Sequence, residues 1–185
     1  VGCSQAPSSG GGATFTPAAS SVEDAAEALT TEVVVDGLDH PWDLAVLPDG
    51  SLLVTERPGR LVRIVDSTAR EVSAPLDDVF AESETGLMGL VLDPDFADNR
   101  RFYTCQGNAP AHDIRVIAWT LSSDMASATR VGDPLVRGLA LSSGRHGGCR
   151  LAFDTTGALL VSAGDAAQGK NPQDLTVLGG KVLRI

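Results

Sequence analysis

The chain has 185 residues, 43% apolar and 21% charged, so it can bury a globular core and is not an extended polar polymer. Its formal net charge of −10 argues against a nucleic-acid partner, because an acidic surface repels phosphate. No apolar run reaches the roughly 20 residues that a membrane-spanning helix needs.

At the N-terminus, Val1-Gly2-Cys3-Ser4 resembles the end of a bacterial lipobox, in which a small residue precedes a cysteine that is lipidated after signal-peptide cleavage. The bland alternative is an ordinary cysteine at a chain end. Gln5 to Ser21 is rich in Ser, Gly, Ala and Pro and holds too little apolar surface to fold, so it reads as a disordered tether. Ser21 to Leu29 is a weak helical patch or more linker. Residues 1–30 are therefore expected to be the lipobox cysteine and linker, and 31–185 the folded domain. A lipid on Cys3 would hold that domain at the bacterial cell membrane in an extracytoplasmic setting. Such a setting permits disulfides. Cys105 and Cys149 are then either a bridged pair or two buried thiols that behave as small hydrophobes.

Organised structure is expected from Thr31, with a β-branched strand over Glu32 to Val35. Three segments then share one pattern: PWDLAVLPDGSLLVTERPGRLVRI (41–64), GLMGLVLDPDFADNRRFYTCQG (86–107) and GGCRLAFDTTGALLVSAGD (147–165). Each has an apolar strand, a turn carrying Asp with Pro or Gly, and a second apolar strand. Proline presets φ in such turns and glycine accepts positive φ, which makes them hairpin signals. GRLVRI (59–64) and GKVLRI (180–185) echo one another as later strands. Several strands per unit, repeated at this spacing, point to an all-β propeller whose first strands line a central channel. On that reading Asp43, Glu84 and His146 start or precede inner strands and converge on one site. At ~40–45 residues per blade there is room for about three blades. An open half-ring would expose strand edges, so the expectation is the N-terminal half of a longer protein, with two copies closing one ring as the alternative.

These motifs resemble the pyrroloquinoline-quinone (PQQ)-dependent glucose/sorbosone, or soluble aldose sugar, dehydrogenases, which are six-bladed β-propellers. Gly37-Leu38-Asp39-His40-Pro41-Trp42 is similar to the family's G-L-x-x-P-W. Glu84 to Gly89 with Asp93-Pro94-Asp95-Phe96 is similar to E-G-G-L-L-G…H-P-D-F. His146 to Phe153 is similar to H-x-G-G-R-L-A-F, and Gly164-Asp165, Gln173-Asp174 and Leu178 to Ile185 to G-D…A-Q-D…L-x-G-K-I-L-R-I. The resemblance implies oxidation of a sugar or small alcohol by hydride transfer to PQQ and then to an external electron acceptor. His146 would be the general base that takes the proton of the C1 hydroxyl, and Asp165 would orient it or touch the sugar. Glu84 and Gln173 would line the sugar and cofactor pocket. The glycines after His146 would let a flat cofactor approach the backbone. Ca²⁺ is implied as well, with ligands from later segments that this chain does not contain.

The chain departs from the pattern in three places. The glycines follow His146 without a spacer, which shifts the histidine by one place relative to the family, Asp93 stands for the histidine of H-P-D-F, and Cys149, two residues past a typical position for Gly or Asn, is unusual. A Cys105–Cys149 bridge would tie neighbouring blades beneath the site. The rival reading is a non-catalytic cell-envelope propeller lipoprotein that binds a glycan or protein partner. A lactone-hydrolysing propeller would need a central calcium site for which too few candidates are visible. His40, His112, Asp49, Asp95 and the pair Arg100-Arg101 read as surface or turn residues, and Trp42 as core packing. No Walker A loop, zinc-spaced Cys/His cluster or Gly-x-Ser-x-Gly elbow is present.

Overall fold

A computed structural model of the protein describes residues 29–185, so the lipid site expected at Cys3, the tether over 5–21 and the helical patch over 21–28 lie outside the described residues. Val33–Ile185 form one unit built almost wholly of antiparallel strands. The first sheet runs in order through β1 (Pro41–Val46), β2 (Leu52–Glu56), β3 (Arg60–Val65) and β4 (Thr68–Glu71). The second runs through β5 (Leu87–Leu92), β6 (Arg101–Asn108), β7 (Asp113–Leu121) and β8 (Ala128–Arg130), with β9 (Val136–Leu139) also paired to β7. The third holds β10 (Gly148–Phe153), β11 (Leu159–Ala163) and β12 (Val182–Arg184). These are the three blades that the repeat predicts, and the fold is a partial β-propeller.

The turns form as their residues dictate. Gly50, at φ 83°, closes the first hairpin by donating its N–H to Leu47 O at 2.9 Å. The Asp93 turn runs on into a single helical turn, α1 (Phe96–Asn99), because Phe96 is drawn into the core and is only 5% exposed. Two expectations are corrected. Glu32 to Val35 is not a strand: among the described residues no strand edge pairs with it, and Val35 packs with Leu38 on Val54, Val62 and Ile64. Arg101 is not a solvated residue but opens β6 half-buried, while Arg100 is exposed and donates Nε to Leu121 O at 3.1 Å.

One cluster joins the first two sheets through Leu47, Leu53, Leu61, Phe96, Phe102 and Trp119. A second joins the last two through Met88, Ile114, Val116, Leu151 and Val161. Full burial of each large side chain contributes about 1.5–3 kcal/mol. Cys105 of β6 and Cys149 of β10 lie inside this second cluster, both 0% exposed, and are joined as a disulfide with Cα atoms 6.0 Å apart.

All three inner strands slip register near their start, between Pro41 and Asp43, Leu87 and Leu90, and Gly148 and Leu151. Such bulges leave main-chain groups unpaired. The first blade satisfies those of the second: Thr55 Oγ1 donates to Met88 O at 2.7 Å, and Asp43 Oδ2 accepts from Leu90 N at 3.0 Å. Asp43, Gly89 and Arg150 occupy the same step of their strands. The Asp43 carboxylate reaches across Gly89 to pair with the Arg150 guanidinium, which also lies 5.5 Å over the Trp42 ring.

A groove of about 510 Å³ lies against the first sheet and away from His146, and Trp42, Leu44, Val54, Ile64 and Arg150 line it. Leu44 there is 55% exposed.

Asp93, which stands for the family's histidine, has a structural role. It accepts from Tyr103 Oη at 2.6 Å, Asn99 Nδ2 at 2.9 Å and Asp95 N at 3.0 Å. Partial burial works against its charge, but these bonds outweigh it and hold the carboxyl below the usual range. Burial, with the bond to Asp93, pushes the Tyr103 phenol up to about 12. A phenol raised in the fold stabilises the native state below its unfolded value of about 10, and that contribution is lost as pH rises through about 12. Tyr103 is the only tyrosine in the chain. Its tyrosinate absorbance is therefore expected to titrate near 12, and to move back toward 10 in Asp93→Asn. For the disulfide, the Cys105→Ala/Cys149→Ala variant is expected to lose about 2–4 kcal/mol in denaturant unfolding, since the bridge closes a 44-residue separation.

Candidate functional site

His146 stands two residues before β10, with a backbone φ of 51°, in the left-handed region that non-glycine residues seldom adopt. Its loop lies on residues 82–85, just before β5. Glu84 N donates to Gly144 O at 3.2 Å, and the buried Thr85 Oγ1 donates to the same oxygen at 2.8 Å. Glu84 Oε2 in turn accepts from His146 N at 2.8 Å. A Cβ on Gly147 would stand 2.3 Å from Thr85 Oγ1, so no larger residue fits there.

The third blade grips the other side of His146. The ring Nδ1–H donates to Asp165 Oδ1 at 3.0 Å, and Ala166 N donates to His146 O at 3.2 Å. Asp165 sits in the loop that leaves β11. That loop is closed at its base by Gly180 N donating to Gly164 O at 2.8 Å. Inside it, Asn171 Nδ2 donates to Asp165 O at 2.9 Å, and Lys181 Nζ donates to Asn171 O at 2.6 Å and Gly179 O at 2.9 Å. A Cβ on Gly164 would fall 1.7 Å from His146 O. The glycines around His146 are thus required by the chain's approach to itself.

The His146 side chain is 49% exposed and that of Asp165 25%. The hydrogen bond from the His146 ring, aided by Ala167 N at 2.9 Å and opposed by partial burial, holds the Asp165 carboxyl below the usual range. With Nδ1–H committed to Asp165, the neutral ring presents the Nε2 lone pair, which has no hydrogen-bond partner among the described residues. This arrangement can take a proton from a hydroxyl and stabilise the imidazolium that results.

The structure therefore brings together His146, Glu84 and Asp165. It does not bring Asp43 to them, since that carboxylate is spent on Leu90 N and Arg150 further along the inner strands. Gln173 lies exposed at the end of a short 3-10 turn, Asn171–Gln173, with no side-chain hydrogen bond to the cluster. His40 and His112 are exposed and take no part. Thr85 and Asn171 were not legible as site residues. The only signal for Asn171 is the Asn-Pro dipeptide, which marks a turn. Among the described residues no group of three or more His, Cys, Asp and Glu side chains is placed to hold a metal ion.

The chain is similar to known proteins along nearly all of the described unit. It is 38% identical over 164 residues to the aldose sugar dehydrogenase YliI of Escherichia coli, a match that covers 85% of this chain and 44% of that protein. The PQQ-bound aldose sugar dehydrogenase of Streptomyces coelicolor superposes with a TM-score of 0.75 at 31% identity, over 83% of this chain and 46% of that one. The soluble aldose sugar dehydrogenase of Escherichia coli, solved in the apo-form, gives a TM-score of 0.72 at 36% identity, over 83% and 46%. The chain thus spans less than half the length of these relatives. The family profile described as Glucose / Sorbosone dehydrogenase matches residues 38–185. By this match over most of its length, the chain belongs to the glucose/sorbosone dehydrogenase family.

Proposed function

We propose that this chain supplies the general-base part of a sugar dehydrogenase site, oxidising a sugar hydroxyl with PQQ as the acceptor. The observation that carries the proposal is His146, held by Asp165 through Nδ1 and presenting Nε2 to open space. Membership of the family and the printed names of the relatives, an aldose sugar dehydrogenase and a PQQ-bound aldose sugar dehydrogenase, support it.

The donor set around His146 fits a planar, polyanionic quinone. Arg57 donates NH1 to Ser83 O, one residue before Glu84, and the exposed Arg145 adjoins His146. Arg57 thus places one guanidinium beside the cluster, and it would suit a carboxylate of the quinone. When bound, PQQ supplies a two-electron acceptor. This chain's own work is to place a sugar hydroxyl within reach of His146 Nε2, to take its proton there, and to spread the new positive charge onto Asp165. Gln173, exposed beyond the cluster, would stand at the rim of the pocket. We assign no calcium ligand to this chain, because the described residues hold no suitable cluster.

The setting we propose is extracytoplasmic, with the domain tethered through a lipid on Cys3 to the bacterial cell membrane and passing electrons to an external acceptor. The Cys105–Cys149 disulfide supports an oxidising compartment.

The test is to reconstitute the intact protein with PQQ and calcium and assay aldoses with an artificial electron acceptor. His146→Ala is expected to lower kcat by about 10²- to 10⁴-fold while quinone binding persists. Asp165→Asn should lower kcat by a comparable factor, with KM little changed, because an amide N–H donating to Nδ1 holds the ring in the wrong tautomer. No quinone-dependent oxidation of any aldose, or an unchanged rate in His146→Ala, would overturn the proposal.

A further inference from the structure

We infer that Glu84 is a positioning residue that acts through the main chain of His146. The inference rests on His146 being the base, and deepens that reading of the site.

A histidine at φ 51° holds an unfavourable backbone conformation, which persists only where its surroundings fix it. Three groups do so here. Asp165 fixes the ring, and Ala166 N with the tight packing of Gly164 fixes the carbonyl. All of these come from the third blade. The His146 N–H is fixed only from the second blade, by Glu84 Oε2 at 2.8 Å. The bond is reinforced from the same two-residue step, since Glu84 N and Thr85 Oγ1 both donate to Gly144 O, two residues before His146. Residues 84–85 and 144–146 thus exchange donors in both directions, and a Cβ on Gly144 would stand 2.3 Å from Glu82 O. Arg57 steadies this cradle from the first blade through Ser83 O.

A carboxylate serves well in this place. A main-chain N–H bonded to an anion is held more strongly than one bonded to a neutral oxygen. Oε2 faces the main chain, so through this bond Glu84 acts on the direction of the imidazole. His146 is in this way suspended between two blades, by its N–H to one and by its ring and carbonyl to the other. Any change in the angle between β5 and β10 turns the imidazole.

Two readouts of the intact protein, labelled with ¹⁵N-histidine, test the inference. In Glu84→Ala the His146 amide should exchange with solvent about tenfold faster or more, as expected for loss of a hydrogen bond to a charged acceptor. The same variant should lose kcat with KM and PQQ affinity little changed. Glu84→Gln keeps an acceptor oxygen and should restore both readouts most of the way. Unchanged His146 amide exchange in Glu84→Ala overturns the inference. So does a Glu84→Gln variant with raised KM or weakened PQQ binding, which would mark Glu84 as a direct ligand. Faster exchange with unchanged kcat also overturns the inference, because the bond would then not position the base, whereas the role of His146 as base falls only with an unchanged rate in His146→Ala.

Discussion

At Gly89 the main chains of β5 and β10 come so close that an added Cβ would stand 2.4 Å from the carbonyl oxygen of Cys149. That approach sets what neighbouring blades can do. It lets Asp43 of the first blade and Arg150 of the third meet over the second. It puts Cys149 against Cys105 in a cluster from which water is excluded. It also brings the loop before β10 down onto the loop before β5, where Thr85 and Glu84 receive it.

The site is built the same way, from contacts between blades more than within them. No single blade holds His146 in place. The second contributes an acceptor for its N–H and the third an acceptor for its ring, and the residue stands in a backbone conformation that neither would impose alone. Its exposure follows from the same geometry. The main chain is gripped at the blade junction, while half of the side chain is left facing outward. The electrostatics agree, since the carboxylate that receives Nδ1–H is held ionised by that bond. Such an arrangement fixes the proton on one ring nitrogen and leaves the other to act.

Much of this was legible in the sequence because it is local or repeated. The hairpin turns Leu47 to Gly50 and Asp154 to Gly157 declare themselves by proline, aspartate and glycine, and the strands on either side by apolar runs. The approach of His146, Glu84 and Asp165 follows from the repeat together with the family pattern. Other features depend on partners that no local pattern specifies. Val33 to Val35 has strand composition but meets no edge, so packing decides its conformation. Asp43 lies in register with Arg150, and the bulge that frees Leu90 N to receive it is invisible until the sheets are paired. Asn171 acts only because an intervening loop folds back on Asp165. The glycines beside His146 read equally well as room for a ligand or room for the chain, and distances alone show the second.

The three aligned positions of the inner strands bear on how such a sequence can drift. A side chain at 89 would strike the Cys149 carbonyl and part the strands that Asp43 and Arg150 join, while an apolar residue at 43 would leave both Arg150 and Leu90 N without their acceptor. Positions 43, 89 and 150 are therefore not free to vary one at a time. A departure from glycine at 89 would have to come with a wider spacing of β5 and β10, whatever charges stand at 43 and 150.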